Sequence, residues 1–103
     1  MSTGRPPGDD VERVVALTWT EFLDEPVTDV TKSIFTLGAH SLLVARCRGR
    51  LQDIFGVHLE TGPFFAHPTI EGFCAAITAG PAGARIRRRA AVAVRVLTDI
   101  PSS

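Results

Sequence analysis

Residues 37–56 read "LGAHSLLVARCRGRLQDIFG", a turn followed by a strongly periodic apolar segment. The segment predicts a helix that begins at Ser41 and ends at Gly56, because glycine is common where helices stop. The apolar residues that recur on one face of this helix are Leu43, Cys47, Leu51 and Ile54. That face is expected to pack against a core. Ser41 follows a turn and precedes the apolar run, so it is predicted as the N-cap of the helix.

The same patterns predict the other elements. A first helix is expected from about Asp10 to Leu23, with acidic residues at its positive end and Pro26 after it. The connection 26–40 carries apolar residues and is expected to lie against the core. Residues 61–66 predict a single helical turn, and Thr69 is the predicted N-cap of a last helix from Ile70 to about Thr78. The predicted fold is all-α, a small bundle of three main helices plus one short helix.

Three parts are predicted along the chain: a flexible leader over residues 1–9, a helical domain over 10–79 and a basic tail over 80–103. Six basic and ten acidic residues give the first 79 residues a net charge of −4, whereas the tail carries five arginines and one aspartate. The tail is expected to be largely disordered, with a segment that docks on a partner as the alternative. Val92, Val94 and Val96 alternate in a way that could form a strand on contact. Nucleic-acid binding is disfavoured, since the tail lacks aromatic residues.

Composition limits the class of protein. Residues 1–10 contain no apolar stretch, so a secretory signal is not expected there, and no run approaches the roughly 18 apolar residues that a membrane span needs. Cys47 and Cys74 are too few for a disulfide framework and are expected to be core thiols. The chain is therefore expected to be a cytoplasmic, monomeric protein, and its leader suggests a free-standing one. Its three histidines are too scattered to indicate a metal site.

From the residues alone, Ser41 has two readings. A nucleophile elbow would need glycine two residues before and after the serine, and Ala39 and Leu43 stand there. No strand precedes the serine and no third group orients a base, so hydrolysis is disfavoured. A plain helix cap in a small helical interaction module remains open.

The stretches "IFTLGAHSLLVARCRGRLQDIFGVHL" and "PFFAHPTIEGF" together resemble the peptidyl carrier proteins, or thiolation domains, of nonribosomal peptide synthesis, within the acyl carrier protein-like family. That motif runs as an apolar pair, one variable residue and Leu-Gly-Gly-His-Ser-Leu, followed by Phe-Gly-Val and Pro-Thr. The likeness covers about residues 10–79. Two positions depart from it: Ala39 replaces the second glycine, and Thr36 stands where many relatives carry an acidic residue.

The resemblance implies that Ser41 carries 4′-phosphopantetheine, transferred from coenzyme A by a separate Mg-dependent phosphopantetheinyl transferase. The thiol of that arm would hold aminoacyl or peptidyl groups as thioesters, and the chain itself would not be an enzyme. Further partners implied are an adenylation enzyme and condensation or tailoring enzymes, with no nucleic acid and no membrane. The residues expected to contact partners are Leu37, His40, Leu42, Phe64 and Phe65, although core packing is the alternative for the two phenylalanines.

The charges near Ser41 favour the peptidyl class. Carriers of fatty-acid and many polyketide systems typically have Asp before the serine and an acidic second helix. Here His40 precedes Ser41, and Arg46, Arg48 and Arg50 follow on the helix. Electrostatic complementarity would therefore select partners other than the basic ones that meet an acidic second helix. An acyl carrier of a polyketide-like pathway remains the alternative.

Overall fold

The computed structural model describes residues 4–98 and is built from helices. In chain order these are α1 (Asp10–Leu23), α2 (Ser41–Phe55), α3 (Gly62–Ala66), α4 (Ile70–Thr78) and α5 (Gly83–Thr98). Within this range the only extended pairing is an isolated antiparallel bridge between Ser33 and Thr69. The predicted all-α class is confirmed, but the number of helices is higher by one long helix.

Local capping explains where α1 and α4 begin. The Asp9 side chain accepts a hydrogen bond from the Glu12 N–H at 2.8 Å, and the Thr69 side chain accepts one from the Gly72 N–H at 3.0 Å. Each bond satisfies a first-turn donor that has no partner within its helix. Asp24, with a φ of 57°, lies just after α1 and ends it in the left-handed conformation.

Aromatic rings fill the centre of the bundle. The Trp19 ring of α1 meets Phe64 of α3 edge-on at 6.4 Å between centroids, and Phe64 stacks on Phe73 of α4 at 4.2 Å. Trp19 is 1% exposed, so it is a core residue. Cys47 and Cys74 are buried free thiols, and burial raises the pKa of both. They therefore stay protonated and unreactive, as predicted for core thiols.

The connection between α1 and α2 is fixed to the body. Val30 donates its N–H to the Arg5 carbonyl at 2.9 Å, and its own carbonyl accepts from the Glu71 N–H at 3.0 Å. Ile34 donates to the Pro68 carbonyl at 2.9 Å. These bonds hold the loop against the start of α4, so the chain enters α2 from a defined position.

The leader differs from the prediction of a flexible segment. The Arg5 guanidinium pairs with Glu12 of α1 at 2.6 Å and with Glu71 of α4 at 3.0 Å. Desolvation raises the pKa of Glu12, but the hydrogen bonds from Arg5 and Gly8 outweigh it and leave that pKa below its ordinary value. The contact between Arg5 and Glu71 joins residues that are far apart in the sequence, so no local sequence pattern predicts it. Residues 1–3 lie outside the described range.

The tail also differs from the prediction of disorder. Residues 83–98 form α5, and Ile86 and Ala90 on one face are completely buried. The helix packs on α1, α2 and α4. Ile86, Ala90 and Ala93 follow helical spacing, so the alternating valines were a misleading signal for a strand. Helix α5 therefore shares its core with the 10–79 segment, and residues 99–103 lie outside the described range.

Candidate functional site

Ser41 is the first residue of α2 rather than its N-cap, one position from the prediction. The N-cap is His40, whose backbone is extended at φ −141° and ψ 175° and whose side chain makes no capping bond. The His40 carbonyl accepts the first hydrogen bond of the helix, from the Val44 N–H at 2.9 Å. Ser41 is solvent-exposed, and among residues 4–98 its hydroxyl has no hydrogen-bond partner. The hydroxyl is therefore free for chemistry.

The loop before Ser41 is tightly wound. The Ile34 carbonyl accepts hydrogen bonds from the Leu37 N–H at 3.1 Å and the Ala39 N–H at 3.0 Å. Gly38 has a φ of 114°, which an L side chain rarely adopts. Ala39 does not have a positive φ, and its methyl is buried in the core. The turn therefore needs its first glycine only, and alanine is accommodated in the second position.

The electrostatic surroundings of Ser41 suit an anion. The N–H groups of the first turn of α2 have no partners within the helix, and the helix dipole places positive potential there. No acidic residue lies in that turn. A phosphate on the Ser41 oxygen would meet donors and no opposing carboxylate.

Two exposed apolar side chains and one half-buried one lie on α2, on α3 and in the loop before Ser41. Leu42, next to Ser41, is 56% exposed, and Phe65 of α3 is 52% exposed. Phe65 stacks on the half-buried Phe35 at 5.5 Å, which joins α3 to the loop before Ser41. Leu37 of that loop is half-buried. We call Leu37, Leu42 and Phe65 the apolar rim.

Phe64 does not belong to this surface: of its two expected roles, partner contact or core packing, the structure shows core packing. It is 1% exposed between Trp19 and Phe73. Consecutive residues on a helix point about 100° apart, so one ring of the pair enters the core and the other faces solvent. Phe35 lies in the connection 26–40, whose apolar residues were expected to lie against the core, and its stacking on Phe65 was not predicted.

The three arginines of α2 have different environments. Arg50 pairs with Glu21 of α1 at 2.7 Å, and its guanidinium lies 5.4 Å from the centroid of the Phe22 ring. Arg48 donates to the Gln52 side chain at 3.0 Å and to the Leu59 carbonyl at 3.3 Å. Arg46 is exposed and makes no ion pair within residues 4–98. Arg46 is therefore the cation of α2 that is available to a partner.

Other chemistry finds no support in the described part of the chain. No three histidine, cysteine, aspartate or glutamate side chains gather there as a metal site. His58 contacts Glu60 at 3.1 Å, and both side chains are largely exposed. No helix there is long and apolar enough to cross a membrane.

Comparisons with known proteins bear on this geometry. The family model described as "Phosphopantetheine attachment site" matches residues 13–77, more than half of the chain. Phosphinothricin tripeptide synthetase PhsB of Streptomyces viridochromogenes is 37% identical over 79 residues, which are 77% of this chain and 7% of that protein. A dimodular nonribosomal peptide synthase of Bacillus subtilis is 32% identical over 78 residues, 76% of this chain and 3% of that protein. The chain thus spans only a small part of these relatives.

Solved structures agree. The nonribosomal peptide synthetase FmoA3 superposes with a TM-score of 0.74 at 29% identity, over 80% of this chain and 9% of that chain. A docking-domain complex of the Pax nonribosomal peptide synthetase superposes with a TM-score of 0.70 at 25% identity, over 96% of this chain and 91% of that one. The family match and these relatives establish that the chain belongs to the phosphopantetheine attachment-site family, as a carrier domain of the kind found in nonribosomal peptide synthetases.

Proposed function

We propose that Ser41 is the attachment residue for 4′-phosphopantetheine and that the chain presents aminoacyl or peptidyl groups to the enzymes of a peptide assembly line. The observation that supports this most directly is the exposed Ser41 hydroxyl at the start of α2, without a hydrogen-bond partner among residues 4–98 and inside the matched family segment. When attached, the arm supplies a flexible reach and a terminal thiol that carries the acyl group as a thioester.

The residues around Ser41 fit a phosphodiester. The unbonded hydroxyl supplies the oxygen, the first-turn N–H groups supply donors, and no carboxylate lies in that turn to repel the phosphate. The loop before Ser41 is fixed by hydrogen bonds from the Leu37 and Ala39 N–H groups to the Ile34 carbonyl, and this fixes the position of Ser41. The Ser41 oxygen needs no reorganisation of the fold to reach a transferase.

In the attachment reaction this chain supplies the nucleophile only. The Ser41 oxygen forms a bond to the pantetheine-side phosphorus of coenzyme A, the bond to the adenosine bisphosphate half breaks, and the serine proton leaves to a base on the transferase. We assign that base to the transferase, because the side chain of the neighbouring His40 makes no hydrogen bond to the Ser41 hydroxyl among residues 4–98. We therefore propose no catalysis by the chain itself.

Recognition by partners would use the apolar rim. Leu42 and Phe65 are more than half exposed, and a small apolar surface suits brief visits to a transferase, an adenylation enzyme and condensation or tailoring enzymes. His40 and Arg46 lie at its polar edge and disfavour partners that recognise an acidic carrier. The solved McyG structure that contains adenylation and carrier domains is 27% identical to this chain, with a TM-score of 0.66, and supports such an encounter. We further propose that the chain acts as a monomer in the cytoplasm.

The competing assignment is an acyl carrier of a polyketide-like pathway. The nonribosomal relatives and the absence of an acidic residue in the first turn of α2 favour the peptidyl class. The chemical nature of the acyl group released from the loaded arm separates the two.

The test is the intact mass of the full chain after incubation with coenzyme A, Mg²⁺ and a broad-specificity transferase. The wild type is expected to gain one phosphopantetheine, and Ser41→Ala none. Ser33→Ala is the matched control: Ser33 precedes the same turn, but its hydroxyl already accepts from the Phe35 N–H at 3.2 Å. It is expected to be modified like the wild type. Absence of any gain in folded wild-type protein with two different transferases would contradict the proposal.

A further inference from the structure

Helix α5 leaves an apolar groove against the end of α2. Ile54 of α2 and Val92, Ala93, Val96 and Leu97 of α5 line this groove, which has a volume of about 420 Å³. Val92 is 59% exposed, Val96 64% and Leu97 40%. Apolar side chains grouped in this way on a small protein mark an interaction surface more often than side chains scattered singly. We call this surface the α2–α5 groove.

The edge of the groove is basic. Arg88 and Arg95 lie four residues before and three after Val92, so they flank it on the outer face of α5. Arg89 lines the wall and is held there, because its side chain donates to the Ile54 carbonyl at 3.1 Å. Helix α5 contains no acidic residue, and the carboxylate at the groove is that of Asp53. The surface therefore combines an apolar floor with an excess of positive charge.

The groove lies at the opposite end of α2 from Ser41. The 13 residues from Ser41 to Ile54 correspond to about 20 Å along the helix axis, at about 1.5 Å per residue. Helix α5 also lies beyond residue 77, where the family match ends. A protein bound in the groove would leave the apolar rim and the attachment residue open.

We propose that the α2–α5 groove binds an amphipathic helix of a partner polypeptide, with an apolar stripe in the groove and acidic residues beside it. Charge complementarity selects this occupant, because glutamates beside the stripe would meet Arg88 and Arg95. A second copy of this chain would bring the same arginines against their equivalents. The lining of α5 from Arg89 to Leu97 extends about 12 Å, enough for two to three turns of a partner helix. This inference does not depend on the modification of Ser41.

The probe is a synthetic amphipathic peptide of about four turns, with leucines at i, i+3, i+4 and i+7 and glutamates beside them. A second peptide replaces each glutamate with lysine. Fluorescence anisotropy with the full chain is expected to show saturable binding of the acidic peptide, at least about tenfold tighter than binding of the lysine peptide. Amide chemical shifts are expected to change at Ile54, Val92 and Val96.

Substitutions then locate the binding. Val96→Asp is expected to weaken binding of the acidic peptide by more than about tenfold, because it places a charge on the apolar floor. Ala84→Asp is the matched control, since it introduces the same charge at an exposed position of the same helix outside the groove. Circular dichroism confirms that each variant is folded. Ser41→Ala is expected to bind like the wild type, so a failure of the carrier proposal would be distinguishable from a failure here.

Other outcomes would overturn the proposal. Binding of neither peptide, or equal binding of both, would remove the acidic helix as the occupant. Unchanged binding by Val96→Asp would place the peptide elsewhere. Concentration-dependent self-association that Val96→Asp abolishes would identify a second copy as the occupant. Binding of the acidic peptide only after deletion of residues 99–103 would identify the chain's own terminus as the occupant.

Discussion

The two ends of α2 are built differently. At its start, His40 provides no side-chain cap, Ser41 is exposed, and Leu42 is 56% exposed. At its end, Gly56 adopts the left-handed conformation and donates its N–H to the Gln52 carbonyl at 2.8 Å, while the Gln52 side chain accepts from the Leu59 N–H at 2.9 Å. The start is open to solvent and the end is closed by hydrogen bonds, so one helix combines an exposed end with an anchored one.

The largest expected effect lies in the aromatic core, at the buried neighbour of the exposed Phe65. Phe64→Ala removes a ring buried between Trp19 and Phe73 and should lower the free energy of unfolding by about 3–5 kcal/mol. Phe65→Ala, next in sequence but 52% exposed, should lower it by less than about 1 kcal/mol and instead weaken partner contact. Urea denaturation of both variants measures the difference. Equal losses would show that the apolar rim is structural.

The next effect tests the closed end. Gln52→Ala leaves the Leu59 N–H and an Arg48 donor without their shared acceptor, and we expect a loss of about 1–3 kcal/mol in the free energy of unfolding. Urea denaturation measures the loss, and amide hydrogen exchange at Leu59 should accelerate. A variant as stable as the wild type, with Leu59 still protected, would show that the end of α2 is held by packing alone.

Two glycines, one within α2 and one directly after it, give a matched pair of substitutions with opposite expected effects on stability. Gly56→Ala forces a side chain into a φ of 66° and close to the Arg85 and Arg89 guanidinium groups, so it should cost about 1–2 kcal/mol of stability. Gly49→Ala lies within the helix, and the added methyl would meet no atom within 4 Å beyond its chain neighbours and the nearby helix backbone, so it should add about 0.5–1 kcal/mol. Thermal unfolding of the two variants should shift in opposite directions. A higher unfolding temperature for Gly56→Ala than for the wild type would contradict the description of the end of α2 as closed.

The smallest effect concerns the open end itself. His40→Asp should raise the free energy of unfolding by about 0.5–1 kcal/mol, because aspartate can cap the first-turn N–H groups that His40 leaves unbonded. Modification of Ser41 should still occur, because the carriers that have aspartate directly before the serine accept the same arm. Denaturation and the mass gain measure the two outcomes. A variant that is less stable than the wild type would mean that the first-turn N–H groups of α2 already have hydrogen-bond partners.

The sequence predicted the helix ends, which depend on residues close together along the chain. The bounds of α1 and α4 follow from Asp9 and Thr69, which are side-chain caps, and Gly56 marks the end of α2 by its freedom at positive φ. The predicted start of α2 at Ser41 is confirmed, whereas the N-cap role predicted for Ser41 belongs to His40.

The features that were missed depend on contacts between distant parts of the chain. Helix α5 is stabilised by burying Ile86 and Ala90 against three other helices, which a local reading of its arginines and valines does not reveal. The position of Arg5 depends on Glu71, 66 residues away. The division between Phe64 and Phe65 depends on how α3 is rotated against the core. Each of these three features is decided by tertiary packing. Phe64 and Phe65, for example, are the same residue type side by side, so the sequence does not tell which ring is buried.

The central claim is that the open end of α2 carries the cofactor on one residue. Fragmentation mass spectrometry of the modified full-length chain tests it most directly, because it assigns the added group to a single side chain. We predict that all of the added phosphopantetheine lies on the peptide containing Ser41, and on the serine oxygen. Modification of Ser33, or of any residue outside that peptide, would contradict the account.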